Sequence, residues 1–273
     1  MRDDWDRQRS AFTCAVCTWL YVATAFGESA PQQSSLHELQ AAKLLEAAAL
    51  ADGTTPDEQR KLERVYQDLA ARFPEDAAIR NAYAEFLWSS DERVRALEQW
   101  QLAARLDPND ATVLTHLGGA FIASGELRKG VGYYARAVSA APGNARFRFN
   151  LANATFLFRH ELIEPALPSA DTVAKQALFH FSEAARLDPL NPEFARAYAE
   201  TFYSVSEPDW QAALEAWQHF AEISPQKDFG FANLARIYLK LGDKDNARLC
   251  VGRMERPESR RLKARLLERI ASE

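Results

Sequence analysis

Cysteine is scarce in this sequence, and glycine and proline are not abundant. Three cysteines among 273 residues cannot build a disulfide framework. Eleven glycines and 12 prolines are too few for a fibrous or disordered protein. Because 47% of the residues are hydrophobic and 26% are charged, the chain has enough apolar side chains to bury a core.

An excess of positive charge is also missing. Lysine and arginine number 33 against 38 aspartates and glutamates, which gives a net charge of −5. The sequence therefore offers no general electrostatic basis for binding nucleic acid or an anionic membrane. A basic cluster near the C-terminus is partly neutralised by glutamates and is interpreted as the solvated face of a helix.

No known catalytic motif is present. The sequence has no phosphate-binding loop, nucleophile elbow or zinc-hydrolase helix. The histidines are scattered without metal-ligand spacing, at His37, His116, His160, His180 and His219. Cys250 lies in a predicted helix, where a packed residue is expected. We therefore predict no catalytic residue, no metal site and no cofactor, in a protein that is not an enzyme.

Residues 1–27 have the layout of a signal peptide or a short membrane anchor. A charged stretch precedes the apolar residues Ala11 to Val22, and Ala23-Thr24-Ala25 has the small-x-small pattern of a signal-peptidase site. Three aspartates cancel the basic residues of the charged stretch, which departs from the usual layout. The pattern predicts an exported (periplasmic or secreted) or membrane-anchored protein; a cytoplasmic protein with one more helix is the alternative.

The remainder of the chain is rich in helix-forming residues and shows a repeat. Prolines recur at intervals of 34, 34, 47 and 36 residues, at Pro74, Pro108, Pro142, Pro189 and Pro225. An aromatic residue stands eight positions before each of them: Tyr66, Trp100, Tyr134, Phe181 and Trp217. A fixed period near 34 residues predicts stacked two-helix units.

The first half of each unit repeats as well. A large residue is followed by a small one at Tyr83-Ala84, Leu117-Gly118, Leu151-Ala152, Tyr198-Ala199 and Leu234-Ala235. Four positions after the large residue come Leu87, Phe121, Phe202 and Tyr238, with Thr155 as the exception. Small residues let two helices approach closely, and the large residues fill the wider gaps between them.

In these features the sequence resembles the tetratricopeptide repeat (TPR) family. The clearest unit carries Leu117, Gly118, Phe121, Gly130, Tyr134, Ala137 and Pro142 in the family's order. The resemblance implies an all-α fold, a right-handed α-solenoid of stacked antiparallel helix pairs with a C-terminal capping helix. Residues 28–42 are predicted as a linker and the start of the first helix, 43–256 as about six units with an insertion near 159–171, and 257–273 as the capping helix.

The resemblance also implies a binding surface, because the first helices of successive TPR units line a concave groove. The predicted groove residues are Asn81, Glu85, Trp88, Thr115, His116, Arg146, Phe149, Asn150, Asn153, Phe156, Arg196, Glu200, Tyr203, Asn233 and Arg236. Amides can pair with the backbone of an extended peptide, and aromatic rings provide apolar contact.

The expected function is a non-catalytic scaffold or adaptor that binds a protein or peptide segment, in the bacterial envelope or in secretion. One alternative is an accessory subunit that holds a polymer, either a glycan or a polypeptide, for a separate enzyme. A cytosolic TPR scaffold is the other. A nucleic-acid partner is not expected, and membrane association is expected only through an N-terminal anchor.

Overall fold

The computed structural model describes residues 30–52 and 55–272, with side chains at 34–50 and 55–272. The predicted signal or anchor segment, 1–27, lies outside the described residues, together with Cys14 and Cys17. The described residues form 13 α-helices: Ala30–Asp52 (α1), Pro56–Arg72 (α2), Ala77–Ser89 (α3), Arg93–Leu106 (α4), Ala111–Ala123 (α5), Leu127–Ala140 (α6), Ala145–Leu157 (α7), Ala170–Leu187 (α8), Pro192–Thr201 (α9), Trp210–Ile223 (α10), Lys227–Lys240 (α11), Lys244–Gly252 (α12) and Arg260–Ser272 (α13).

This part of the chain contains no β-strand, so the all-α prediction is confirmed. None of its helices is both long and apolar enough to cross a membrane. The helices divide into two compact units, one ending at Asp107 and the other beginning at Pro108. The first unit holds α1 to α4 and the second holds α5 to α13.

Side-chain caps fix where several helices begin. Asp76, Asp110, Asn144 and Asn191 accept hydrogen bonds from backbone amides in the first turns of α3, α5, α7 and α9. Thr55 and Glu58 form a capping box at the start of α2. Such caps satisfy amides that have no partner inside the helix, which makes each junction a defined turn.

In the first unit, aromatic residues form the contact between α2 and α3. Tyr66 of α2 is buried, with its ring 6.0 Å from Tyr83 and 5.2 Å from Phe86. Its hydroxyl donates to the Glu46 carboxylate of α1 at 2.5 Å. Burial, followed by the Glu46 contact, raises the pKa of Tyr66.

Within the second unit, glycines mark the closest approach of α5 and α6. A Cβ atom added to Gly118 would lie 2.6 Å from Cδ1 of Tyr134, and one added to Gly130 would lie 2.7 Å from the carbonyl oxygen of Gly118. The two helices therefore meet at the positions where the repeat places its small residues.

The capping helix α13 closes the second unit. Leu266 and Ile270 are buried in the same core as Trp217 and Val251. The turn before α13 is held by the Asp228 carboxylate, which accepts from the backbone amides of residues 255 and 256 at 3.2 and 2.9 Å. Burial opposes ionisation of Asp228, but these amides and the Ser259 hydroxyl outweigh it, and its pKa is lowered.

Two segments interrupt the repeat in the second unit. Residues 158–169 form an irregular loop between α7 and α8, and α8 has 18 residues against 14 in α6 and α10. The segment 202–209, between α9 and α10, contains one short 3₁₀ turn. Asp171, in the first turn of α8, ties the second of these segments to α8, because its carboxylate accepts from the Ser206 amide at 2.5 Å and from the Ser206 hydroxyl at 2.7 Å. Lys175 pairs with the same carboxylate at 2.9 Å.

Candidate functional site: the first-helix face

In the first unit, the predicted groove residues of α3 are held by contacts within the protein. Asn81 accepts from the Trp100 indole at 3.0 Å and donates to Glu85 at 2.9 Å. Trp88 packs 5.4 Å from the Trp100 ring, with the Arg93 guanidinium 4.1 Å from its own ring. This part of the predicted site serves the packing of α3 on α4.

In the second unit, α5 contributes little polar capacity. The hydroxyl of Thr115 donates to the Ala111 carbonyl of its own helix at 2.8 Å. Both Thr115 and His116 are half-buried. A side chain that bonds its own helix has less capacity for an incoming ligand.

Two of the groove residues predicted on α7 contact the core. Phe149 is part of the core, and Arg146 covers it. Phe149 is only 8% exposed, and its ring lies 5.6 Å from Phe181 and 4.8 Å from Phe194. Arg146 lies above the Phe194 ring at 4.6 Å and pairs with Glu193 of α9 at 2.8 Å. These two residues join α7 to α9.

The other polar residues predicted on α7 are available for binding. Asn150 is half-buried and Asn153 is exposed. Neither amide side chain makes a hydrogen bond to another residue in the described part of the chain. Phe156, three residues further along, is half-buried, with its ring 6.3 Å from Phe181. Asn150, Asn153 and Phe156, spaced at three residues, follow one side of α7.

On α9 and α11, most of the predicted residues pair with each other. Arg196 bonds Glu200 at 2.9 Å. Asn233 is only 3% exposed; it donates to the Phe229 carbonyl at 3.0 Å and accepts from Arg236 at 2.9 Å. Asn233 therefore orders α11 and is shielded from a ligand.

Tyr203 is the most exposed aromatic residue of the predicted set. It is 41% exposed, and its hydroxyl donates to the side-chain oxygen Oδ1 of Asn233 at 3.5 Å. Burial of the phenol raises its pKa to about 12; Arg236 opposes this shift and Glu200 adds to it. Tyr203 is thus a neutral hydrogen-bond donor and an apolar surface at neutral pH.

These contacts make the faces of α7, α9 and α11 continuous. Arg146 bridges α7 and α9, the Arg196 guanidinium lies 4.8 Å from the Phe229 ring, and Tyr203 reaches Asn233. The first-helix face of the second unit is therefore one surface. Asn150, Asn153, Phe156 and Tyr203 are its members with capacity for a ligand.

The unpaired N–H of a buried indole in this region was not predicted from the sequence. Trp217 is 0% exposed, and its N–H has no acceptor among the described residues. Trp100 occupies the position of Trp217 in an earlier repeat, and its indole donates to Asn81. In the repeat that contains Trp217, the position of Asn81 is occupied by Arg196. Because a guanidinium cannot accept, the unpaired N–H was detectable by aligning the repeats.

The described residues contain neither a metal centre nor a reactive thiol. Among the described residues, no group of three or more histidine, cysteine, aspartate or glutamate side chains is arranged to hold a metal ion. Cys250 is buried, and burial raises the pKa of its thiol. A thiol with a raised pKa has a small thiolate fraction and is a poor nucleophile.

Comparisons of the sequence found no relatives: no protein-family model matches the chain, and no curated protein matches it. Solved structures with a similar fold do exist. The TPR protein YrrB superposes with a TM-score of 0.55 at 20% identity, over 68% of this chain and 89% of its own. PilF of Pseudomonas aeruginosa gives a TM-score of 0.59 at 19% identity, over 84% of this chain and 93% of its own.

MamA is a third similar structure, with a TM-score of 0.51 at 16% identity over 64% of this chain and 87% of its own. YrrB is described as having an unusual peptide-binding site. At these identities the likeness concerns the fold. The chain has the fold of tetratricopeptide repeat proteins, an α-solenoid built from antiparallel helix pairs, as the spacing of its prolines and aromatics predicted.

Proposed function

We propose that this protein is a non-catalytic interaction scaffold that binds an extended segment of another protein along α7, α9 and α11. In this proposal Asn150 and Asn153 hold the backbone of the bound segment. Phe156 and Tyr203 provide apolar contact to its side chains. The shared fold with TPR proteins supports a role in protein interaction.

The observation that carries the proposal is the contrast among the four predicted groove asparagines. Asn81 and Asn233 use their amides inside the protein, whereas Asn150 and Asn153 have no partner among the described residues. An amide both donates and accepts, so it matches the paired N–H and C=O groups of an extended backbone.

The spacing of these two amides suits an extended chain. Residues three apart on a helix have Cβ atoms about 5–6 Å apart. Alternate residues of an extended strand are about 6.6 Å apart and point to the same side. Asn150 and Asn153 can therefore engage two backbone groups on one side of a bound segment.

The test is affinity capture from the native cells with mass spectrometry, using the full-length protein. Three forms are compared: wild type, the double variant Asn150→Ala/Asn153→Ala, and Gln211→Ala. Gln211 is an exposed amide on α10, outside the first-helix face, and serves as the matched control. The captured protein is then divided into peptides, and their affinities are measured by fluorescence anisotropy.

We expect one protein to be retained by wild type and by Gln211→Ala, and to be lost or depleted with the double variant. Each lost hydrogen bond contributes about 0.5–1.5 kcal/mol, so peptide binding should weaken by about 1–3 kcal/mol. Equal capture by all three forms would contradict the proposal. Capture of a glycan in place of a protein would favour the polymer-holding alternative.

We further propose that the protein acts outside the cytoplasm, in the bacterial envelope or in secretion, on the basis of the layout of residues 1–27. The mature N-terminus, determined by mass spectrometry of the protein from its native cells, tests this. Cleavage after Ala25 is the expected result. A soluble cytoplasmic chain that begins at Met1 would contradict it.

A further inference from the structure

The loop 158–169 covers one side of a half-open cavity of about 390 Å³, which lies on the side of the second compact unit formed by the second helices of the pairs. Helices α6 and α8 form its walls, α7 its floor and the loop its roof. The cavity opens to solvent beside Gly132 and Gln176, which are exposed. Aliphatic side chains line much of it: Val131, Val138, Leu151, Leu162, Leu167 and Val173.

The roof is held by specific contacts. Arg128 of α6 donates to the carbonyls of residues 161 and 163, at 2.7 and 3.1 Å. Glu164 and Leu167 exchange two backbone hydrogen bonds, at 3.0 and 2.8 Å. Leu162 is only 6% exposed. The loop is therefore a fixed wall of the cavity.

Three departures from the repeat meet at this cavity. Thr155 stands where other helix pairs of the repeat have Leu87, Phe121, Phe202 and Tyr238, so a large side chain is missing from the floor of the cavity. Gly132 stands where other helix pairs of the repeat have Arg64, Glu98, Phe179 and Glu215. A Cβ added to Gly132 would meet no atom within 4 Å. The third departure is the inserted loop. The two small residues leave the space empty, and the loop covers it.

The polar groups of the cavity define the ligand that fits. Nδ1 of His180 is buried and has no hydrogen-bond partner among the described residues. Burial, with the nearby charge of Arg148, lowers the pKa of His180 against the opposing effect of Glu183, so the imidazole is neutral at neutral pH. Arg128 and Glu164 at the roof lie 3.6 Å apart and offset each other's charge.

We propose that this cavity binds a small neutral molecule with an aliphatic body and one hydroxyl or carbonyl group. The aliphatic body packs against the valines and leucines, and the polar group pairs with Nδ1 of His180. A volume of about 390 Å³ lies at the small end of ligand pockets, which span about 300–1,000 Å³. A buried nitrogen without a partner is unfavourable, so a ligand that satisfies it gains affinity.

Cyclohexanol is a suitable probe, with cyclohexane as the partner that lacks the hydroxyl. Methyl NMR spectra of the full-length protein report binding directly, because six valines and leucines line the cavity. We expect cyclohexanol to shift these methyl signals in a saturable manner. His180→Phe should raise the Kd for cyclohexanol about two- to tenfold and leave that for cyclohexane unchanged.

Filling the cavity should abolish binding. Gly132→Leu projects a side chain into the open space, and Gly252→Leu is its control, since a Cβ at Gly252 also meets no atom within 4 Å but lies outside the cavity. Thr155→Leu restores a large residue on the opposite side and replaces Gly132→Leu if that variant fails to fold. The proposal is overturned if the lining methyls of wild type do not shift, or if a folded cavity-filling variant binds cyclohexanol as wild type does.

Discussion

The contact between α5 and α6 gives a direct prediction from two glycines of the same helix. In Gly130→Ala the new Cβ would lie 2.7 Å from the carbonyl oxygen of Gly118 and 3.0 Å from the backbone nitrogen of Ile122. Backbone atoms cannot move aside unless the two helices separate. In Gly132→Ala the new methyl group meets nothing within 4 Å.

The magnitude follows from two opposing effects. Alanine stabilises a helix interior over glycine by about 0.8–1.0 kcal/mol, and both variants gain this. Overpacking costs about 1–3 kcal/mol and applies only to Gly130→Ala. We therefore expect Gly132→Ala to be up to about 1 kcal/mol more stable than wild type, and Gly130→Ala to lie about 1–3 kcal/mol below Gly132→Ala.

Urea unfolding followed by far-UV circular dichroism measures both free energies of unfolding. Because the two substitutions are chemically identical and two residues apart, their difference isolates the contact with α5. If Gly130→Ala were as stable as Gly132→Ala, the close approach of these helices would be wrong.

Three further predictions concern single carboxylates and a phenol. Lys175 and then Ser206 lower the pKa of Asp171 from 3.8 to about 2, so this group stabilises the fold above pH 3.8 and loses its effect as the pH falls towards 2. Thermal melts should show the gap between wild type and Asp171→Asn closing over that range, and a constant gap would refute it. Tyr66→Phe should lower stability by about 1.5–3 kcal/mol, and a double-mutant cycle with Glu46→Gln should show the two changes to be coupled; additive effects would count against the hydrogen bond. Asp228→Asn should lower stability by about 1.5–3 kcal/mol and speed hydrogen exchange at the two amides before α13; unchanged exchange would argue against this anchor.

The helix pairs were predictable because their signals are local. Proline ends a helix, a capping side chain begins the next, and the aromatic eight residues before each proline faces the core. Tyr66, Trp100, Phe181 and Trp217 are buried, and Tyr134 is half-buried against Gly118. The start of α1 was harder to predict. Residues 28–42 were predicted as a linker and the start of the first helix, and α1 begins at Ala30 within this stretch.

The groove was predictable only in outline. Helical spacing places a residue on a face, but its burial depends on the neighbouring unit. Phe149 is buried because Phe194 of α9 covers it, and Asn233 is buried beside Tyr203 and Arg236. The role of the fifteen predicted residues in binding stays a prediction, and the structure separates those with capacity for a ligand from those that hold helices together.

The cavity was not predictable from any one motif. The Thr155 exception and the insertion were both visible in the sequence, but their meeting with Gly132 depends on how α6, α7 and α8 pack. Aligning the units by their prolines identifies each departure separately. Only the folded chain shows that they share one space.

Site-specific photo-crosslinking in the native cells tests the proposed role most directly. A photo-reactive phenylalanine analogue replaces Asn153 on α7 in one form of the full-length protein and Gln211 on α10 in another. The account predicts a crosslink to one polypeptide from position 153 and none to it from position 211. No polypeptide crosslink from position 153, or the same products from both positions, would contradict it.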